Sequence, residues 1–166
     1  GTVRADSHLE LPVDDRSWDE IESSDYYVFA QLTKILGGIM PGHVLYTSVD
    51  DSSAGFSKVW IRDKLRDELN FTGIVFSDDL SMTAARAVPS PTDRAKCALA
   101  AGCDMILLCN DQQSAIEVSN WLDSESIPKS GTIHSMRASS SHKIHNIFEQ
   151  DLWKSRVQTI RSYFKG

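Results

Sequence analysis

Two adjacent carboxylates, Asp78 and Asp79, follow directly on the apolar run Ile74-Val75-Phe76 and Ser77. A carboxylate held at the tip of a strand could act as a nucleophile, a general base or a Mg2+ ligand. The alternative is structural, with one Asp capping the next segment and the other solvated. A second pair, Asp6 and His8, is separated only by Ser7. Asp6 could hold one imidazole nitrogen there, fixing the tautomer and raising the basicity of a group whose ordinary pKa of about 6.5 suits proton transfer near neutrality. A loop carboxylate beside a surface histidine would look the same. His43 ends a predicted strand and could line the same mouth, or could be a structural histidine bonded to backbone. His142 and His145 form an H-x-x-H pattern without an acidic or Cys neighbour, and read as a solvated helix face and not as a metal site.

The elements that must position these groups alternate along the chain. Ser17-Trp18-Asp19-Glu20 has the form of a capping box, and Ile21, Val28, Leu32, Ile35 and Leu36 follow at helical spacing. That helix is expected to stop at Gly37-Gly38. Gly38-Ile39-Met40 predicts a buried strand opening into a polar loop. Ser57 is placed to cap a helix from about Lys58 to Leu69, with Val59, Ile61, Leu65 and Leu69 on its inner face. Ile74-Val75-Phe76 is the next strand. Ser90-Pro91 opens a third helix that Gly102 ends, and Met105-Ile106-Leu107-Leu108 is the strand after it. A further helix begins near Asn110-Asp111 and carries Ile116, Val118 and Leu122. Apolar strands separated by helices imply a parallel sheet covered by helices. In such sheets functional residues gather beyond the strand C-termini, where His43, Asp78, Asp79 and Asn110 fall. Residues 124 to 142 read as a surface connector, and the spacing from about Ile144 to Phe164 suits a closing helix.

Composition narrows the function classes. The chain has 166 residues, 41% hydrophobic and 24% charged, the balance of a globular chain. Seventeen basic against twenty-three acidic side chains leave a formal charge of −6, which argues against a nucleic-acid partner held by phosphate contacts. The apolar runs are far shorter than the roughly 18 residues of a membrane span, so no membrane association is expected. Cys97, Cys103 and Cys109 are odd in number and lack C-x-x-C spacing. They signal neither a disulfide framework nor zinc, and read as small, partly buried thiols of a reducing compartment. No G-x-S-x-G or G-x-x-x-x-G-K-[ST] motif supports an esterase or NTPase. The first residues show no signal-peptide pattern and read as a chain starting within something longer.

Five segments together carry a family resemblance. Ile74-Val75-Phe76-Ser77-Asp78-Asp79-Leu80-Ser81-Met82 resembles the nucleophile segment of glycoside hydrolase family 3, in its NagZ-type β-N-acetylglucosaminidase branch. Gly1 to His8 resembles that branch's mobile loop, which carries a His–Asp dyad. Ile39-Met40-Pro41-Gly42-His43-Val44, Leu65-Arg66-Asp67-Glu68-Leu69 and Ala100 to Asn110 match further segments, in the family's order and spacing, across residues 1 to about 122.

The resemblance implies Asp78 as nucleophile, His8 as general acid/base and Asp6 as its orienting partner, with no metal and no cofactor. The implied reaction removes terminal non-reducing N-acetylglucosamine from anhydro-N-acetylmuramic-acid muropeptides, in cytoplasmic peptidoglycan recycling. The implied fold is α/β, the C-terminal part of a (β/α)8 TIM-type barrel. About three strand–helix units and C-terminal helices would form a single domain over residues 1–166. A complete barrel of this kind typically takes about 250 residues, and is expected to be a monomer at full length. A Lys-His-Phe-Pro-Gly-His stretch of the family precedes the position of Gly1, and most sugar-binding contacts are expected in that upstream part. A second expectation is therefore a catalytically incomplete half-barrel that associates with a partner segment, since three parallel strands cannot close a barrel. A third uses Asp78-Asp79 as a Mg2+ site for phosphoryl transfer.

Overall fold

In the computed structural model, residues 3–128, 130–137 and 151–163 are described. The chain first forms a two-residue strand, β1 (Val13–Asp14). The capping box then closes as expected: Ser17 Oγ accepts the Glu20 N–H at 3.4 Å, and Glu20 Oε2 accepts the Ser17 N–H at 2.9 Å. A helical rod follows as α1 (Trp18–Ile21), a wider π-type stretch (Glu22–Tyr26) and α2 (Tyr27–Leu32). It ends before the predicted glycine stop, at Thr33, whose hydroxyl donates to the Ala30 carbonyl at 3.1 Å. The π stretch also rotates everything after it away from the 3.6-residue stripe. Ile21 is buried accordingly, whereas Val28 and Ile35, expected on the same face, are 53% and 77% exposed.

Strand β2 (Gly38–Ile39) is shorter than predicted, and β3 (Leu45–Tyr46) pairs in parallel with β1. The sequence gives no periodic signal for so short a ladder. Ser57 caps the next helix by accepting the Trp60 N–H at 3.1 Å. This helix (Val59–Glu68) is wound one residue wider than an α-helix, as the bond from Leu69 N–H to the Lys64 carbonyl shows. Ile61 and Leu65 are its buried residues, with Val59 and Leu69 half-buried at the margin.

Strand β4 (Ile74–Asp79) is the centre of a parallel sheet of order β2-β4-β5, where β5 is Met105–Leu107. Helix α3 (Pro91–Ala101) joins β4 to β5. Ser90 caps it on the Asp93 N–H, and Gly102 ends it in the left-handed region at φ 119°. A side chain there would be strained, and its Cβ would also stand 3.1 Å from Ile61 Cγ2. Helix α4 (Gln112–Ser124) is capped by Asp111. Its Val118 enters the core as predicted, while Ile116 is 46% exposed. The core lies between the sheet and helices 59–68, α3 and α4, around Ile61, Leu65, Phe71, Val75, Leu80, Ala98 and Val118.

The N-terminal ends of β4 and β5 are tied by one ionic cluster. Arg66 donates to Asp104 Oδ2 at 2.6 Å and to the Phe71 and Gly73 carbonyls, and Asp104 also accepts from Val75 N–H and Ser130 Oγ. Burial alone would raise the Asp104 carboxyl, but these donors hold it below its ordinary value. Two of the family-like segments, Leu65 to Leu69 and Ala100 to Asn110, thus meet in a structural clamp. Cys103 is buried, and desolvation pushes its thiol up to about 12. Cys97 is half-buried and Cys109 exposed, so one thiol departs from the expected burial.

By internal contacts the chain divides into Gly1–Met136, which holds everything above, and Arg137–Gly166. The predicted connector contains a 3-10 segment, Gly131–Met136. In the second unit the described element is α5 (Asp151–Tyr163), within the span predicted for a closing helix. His142 and His145 lie outside the described residues.

Candidate active site

The ladder between β4 and β5 slips at the residues of interest. Phe76 pairs with Met105 and Asp79 with Leu107, so three steps on β4 face two on β5. A bulge of this kind re-aims a side chain at a strand end, which is why bulges gather near functional sites. Ser77 repairs the broken ladder, its Oγ accepting the Leu107 N–H at 2.9 Å. The side chain freed by the slip is Asp78.

The two carboxylates are then used differently. Asp79 Oδ1 accepts the Ser81 N–H and the Cys109 N–H, each at 2.9 Å, and Oδ2 is 2.7 Å from the Ser81 hydroxyl. Burial alone would raise its pKa, but these donors keep the carboxyl below its ordinary value and therefore ionised. Asp79 is a tether between the loop after β4 and the loop after β5. Asp78 is half-buried, and its Oδ1 accepts the neighbouring Asp79 N–H at 2.8 Å. Its Oδ2 has no hydrogen bond among the described residues, and the Cα of Gly42 faces it so closely that a Cβ there would be 3.8 Å away. One carboxylate is committed to main chain and the other is available.

Asp6 and His8 do form a pair. His8 Nδ1 lies 2.9 Å from Asp6 Oδ1, and the same oxygen accepts the His8 N–H at 2.9 Å. The His8 main-chain donor, then the ring, lowers the pKa of Asp6, which keeps it an anion and places the ring proton on Nδ1. Nε2 is left for a substrate, as base when the ring is neutral and as acid when it is charged. Both side chains are exposed, at 58% and 72%. The loop is fastened between them, where the Ser7 carbonyl accepts the Ala84 N–H at 3.2 Å, within the segment Thr83–Ala87 that follows Asp78. Among the described residues no direct hydrogen bond joins His8 to Asp78.

His43 does not line the mouth, and the Asp79 main-chain carbonyl faces its ring without a completed hydrogen bond. It is fully buried, with both ring nitrogens unbonded among the described residues. Asn110 is exposed and sits in the left-handed region at φ 57°, a conformation Asn tolerates through its short polar side chain. Sequence reasoning missed the Asp79 tether and the role of Ser77. The two carboxylates are indistinguishable in spacing, and only the slip in register separates them. Among the described residues no group of three or more His, Cys, Asp or Glu side chains is arranged to hold a metal ion.

Comparison with known proteins shows the family. Residues 1–138 match the family described as glycosyl hydrolase family 3 N terminal domain. A beta-hexosaminidase of Tolumonas auensis is 41% identical over 99% of this chain and 50% of its own length. One from Pseudomonas aeruginosa is 51% identical over 69% of this chain and 35% of its own. The structure of NagZ from Neisseria gonorrhoeae in complex with N-trifluoroacetyl-D-glucosamine superposes with a TM-score of 0.76 at 32% identity, covering 98% of this chain and 47% of that one. The chain thus spans half or less of the length of these relatives. On the match over residues 1–138, it belongs to glycosyl hydrolase family 3 and carries that family's N-terminal domain, a TIM-barrel-like α/β fold.

Proposed function

We propose that this chain carries the catalytic groups of a retaining β-N-acetylglucosaminidase, with Asp78 as nucleophile, His8 as general acid/base and Asp6 as its orienting partner. The observation that supports it best is the division of labour at the β4 tip: Asp79 is tied to main chain while Asp78 Oδ2 is unpartnered. In the first step Asp78 attacks the anomeric carbon as the leaving oxygen departs with the proton of His8 Nε2. A glycosyl ester forms on Asp78. In the second step neutral His8 takes a proton from water, the water oxygen attacks the anomeric carbon, and the ester bond breaks to regenerate the carboxylate. Two inversions give net retention. Asp6 stabilises the imidazolium that donates in the first step and re-forms in the second.

The names of the relatives support a hexosaminidase, and the N-acylglucosamine in the gonococcal NagZ complex supports the sugar. The finer reading goes with it. The substrate would be a muropeptide ending in N-acetylglucosamine and the setting cytoplasmic peptidoglycan recycling. The chain would be the C-terminal part of a (β/α)8 barrel, a single catalytic domain that needs neither metal nor cofactor. A second reading, a half-barrel that is catalytically incomplete without a partner segment, is favoured by the open sheet. Strands β2 and β5 are its edges, and Met40 just after β2 and Met105 within β5 are 49% and 41% exposed.

One experiment separates the two: release of the phenol from an aryl β-N-acetylglucosaminide by the chain alone and by the chain mixed with the upstream half of a relative. Activity that Asp78→Ala abolishes supports the assignment. Activity only in the mixture supports the half-barrel, and activity surviving Asp78→Ala overturns the assignment.

A further inference from the structure

Behind the β4 tip lies a buried imidazole that the two-step reaction does not use. His43 is fully buried, and neither Nδ1 nor Nε2 makes a hydrogen bond among the described residues. An imidazole carries at least one N–H in every protonation state, so a donor is sealed here with the Asp79 main-chain carbonyl facing it but no completed hydrogen bond. Such groups are rare in native proteins, and a catalytic role is one of the explanations they call for. The ring cannot withdraw. Phe56 packs on it at 4.8 Å, and a Cβ on Gly55 would stand 2.9 Å from Nδ1, so that position admits no side chain.

The charged groups that act on the ring are Asp78 and Asp79 from β4 and Arg94 from α3, and the Asp79 main-chain carbonyl, facing the ring as an acceptor, favours its charged form as the two carboxylates do. Burial outweighs the two carboxylates and holds the ring below its ordinary pKa of 6.5. His43 is therefore neutral at neutral pH. Gly42, its neighbour in the chain, is the residue whose Cα faces Asp78 Oδ2. One short segment thus touches Asp78 directly and backs it with a neutral donor.

We infer that His43 is a positioning residue for Asp78: its ring braces the Asp78–Asp79 peptide from behind, and its N–H closes on this strand tip when a pyranose occupies the site. The inference rests on the reading of Asp78 as nucleophile. Hydrogen bonds that matter in catalysis are commonly long before substrate binds and tighten in the complex. A neutral donor suits this place, because a fixed cation would over-stabilise the carboxylate that must attack.

Two measurements on the chain test it. The first follows the His43 ring by nitrogen-15 shifts across pH, in the wild type and in Asp78→Asn. The ring should stay neutral below the range in which an ordinary imidazole takes up its proton, and loss of the Asp78 charge should weaken its proton binding a further severalfold. Identical titrations in the two proteins overturn the inference whether or not the chain hydrolyses a sugar. The second follows covalent labelling by an activated, fluorinated N-acetylglucosaminyl donor that stops at the glycosyl ester. His43→Phe should label about tenfold or more slowly at unchanged donor affinity, and His43→Asn, which keeps a donor, should recover part of the rate. Labelling by His43→Phe at the wild-type rate refutes the positioning role alone. A wild type that is never labelled, alone or mixed with the upstream half of a relative, refutes the nucleophile reading and this inference with it.

Discussion

Replacing Asp78 and Asp79 separately by their amides should split stability from chemistry. Asp79 accepts two main-chain N–H groups and sits against one hydroxyl. Asp79→Ala leaves the Ser81 and Cys109 N–H groups without that acceptor. At roughly 1.5 kcal/mol for each bond to a charged, partly buried oxygen, the loss is about 3 kcal/mol. In a chain of this size that lowers Tm by roughly 6–12 °C. Asp79→Asn keeps one oxygen for the two N–H groups, and the Ser81 hydroxyl can turn to accept from the amide, so the loss falls to about 1 kcal/mol. Asp78 receives one N–H from its neighbour, and Asp78→Asn should change stability by less than about 0.5 kcal/mol. Turnover runs the other way. Asp78→Asn should lower hydrolysis of an aryl N-acetylglucosaminide by a thousandfold or more, on the order of what removing a catalytic nucleophile does. Asp79→Asn should stay within about tenfold of wild type, a loss set by small displacement of the strand tip. Urea unfolding and aryl release, measured on the same preparations, give both numbers. If Asp78→Asn proves as destabilising as Asp79→Ala while retaining turnover, the division of labour at this strand tip is wrong.

Two further outcomes follow from the same geometry. His8→Ala should cripple hydrolysis of substrates with poor leaving groups by about 10²–10⁴-fold. It should slow formation of the glycosyl ester from an activated aryl donor far less, because that oxygen leaves without a proton. Equal losses across a leaving-group series would remove His8 as the acid. At the opposite end of the sheet, Asp104→Ala strands Arg66 and the Val75 N–H, and should destabilise by about 3 kcal/mol with unchanged turnover per folded molecule. The folded-state pKa of Asp104 is depressed below 3.8, so its stabilising contribution is fully present above the unfolded value and disappears as pH falls through the folded one. The stability gap between Asp104→Ala and wild type should therefore hold its full size above about pH 4 and shrink as the pH falls below it toward the folded-state value.

Much of this architecture was legible because the local signals agree with one another. The capping box at Ser17, the caps at Ser57, Ser90 and Asp111, and the stop at Gly102 all form, since each depends on residues within three or four positions. What was not legible depends on winding and register. The π stretch after Ile21 turns Val28 and Ile35 outward, and its widening leaves no mark in a pattern read at 3.6 residues per turn. The slip between Phe76 and Asp79 is set by pairing with Met105 and Leu107, nearly thirty positions away. For the same reason spacing alone could not say which carboxylate was free. The Asp6–His8 pair was readable because both members lie in one loop, whereas the unpartnered state of His43 arises from Gly55 and Phe56 closing over it.

The family-like segments sort by which end of the sheet they occupy. At the N-terminal ends of β4 and β5, Arg66 and Asp104 satisfy each other and four main-chain or hydroxyl groups, so these two side chains are committed to structure. At the C-terminal ends, Ser77 and Asp79 bond the main chain of the next strand and the loop beyond it. Asp78 Oδ2 and both His43 nitrogens remain without hydrogen bonds among the described residues. An unsatisfied group close to a well-satisfied one is hard to explain as accident, because a bulge that served stability alone would have bonded Asp78 as it bonded Ser77 and Asp79. The rigid end fixes the strand directions, the tethers fix the bulge, and the carboxylate that remains is held where β/α sheets carry their chemistry. Reversing the slip, by deleting Ser77 so that β4 and β5 pair step for step, should therefore keep Asp79 opposite Leu107 and draw Asp78 into the ladder opposite Ile106: the freed carboxylate would be lost, and covalent labelling with it.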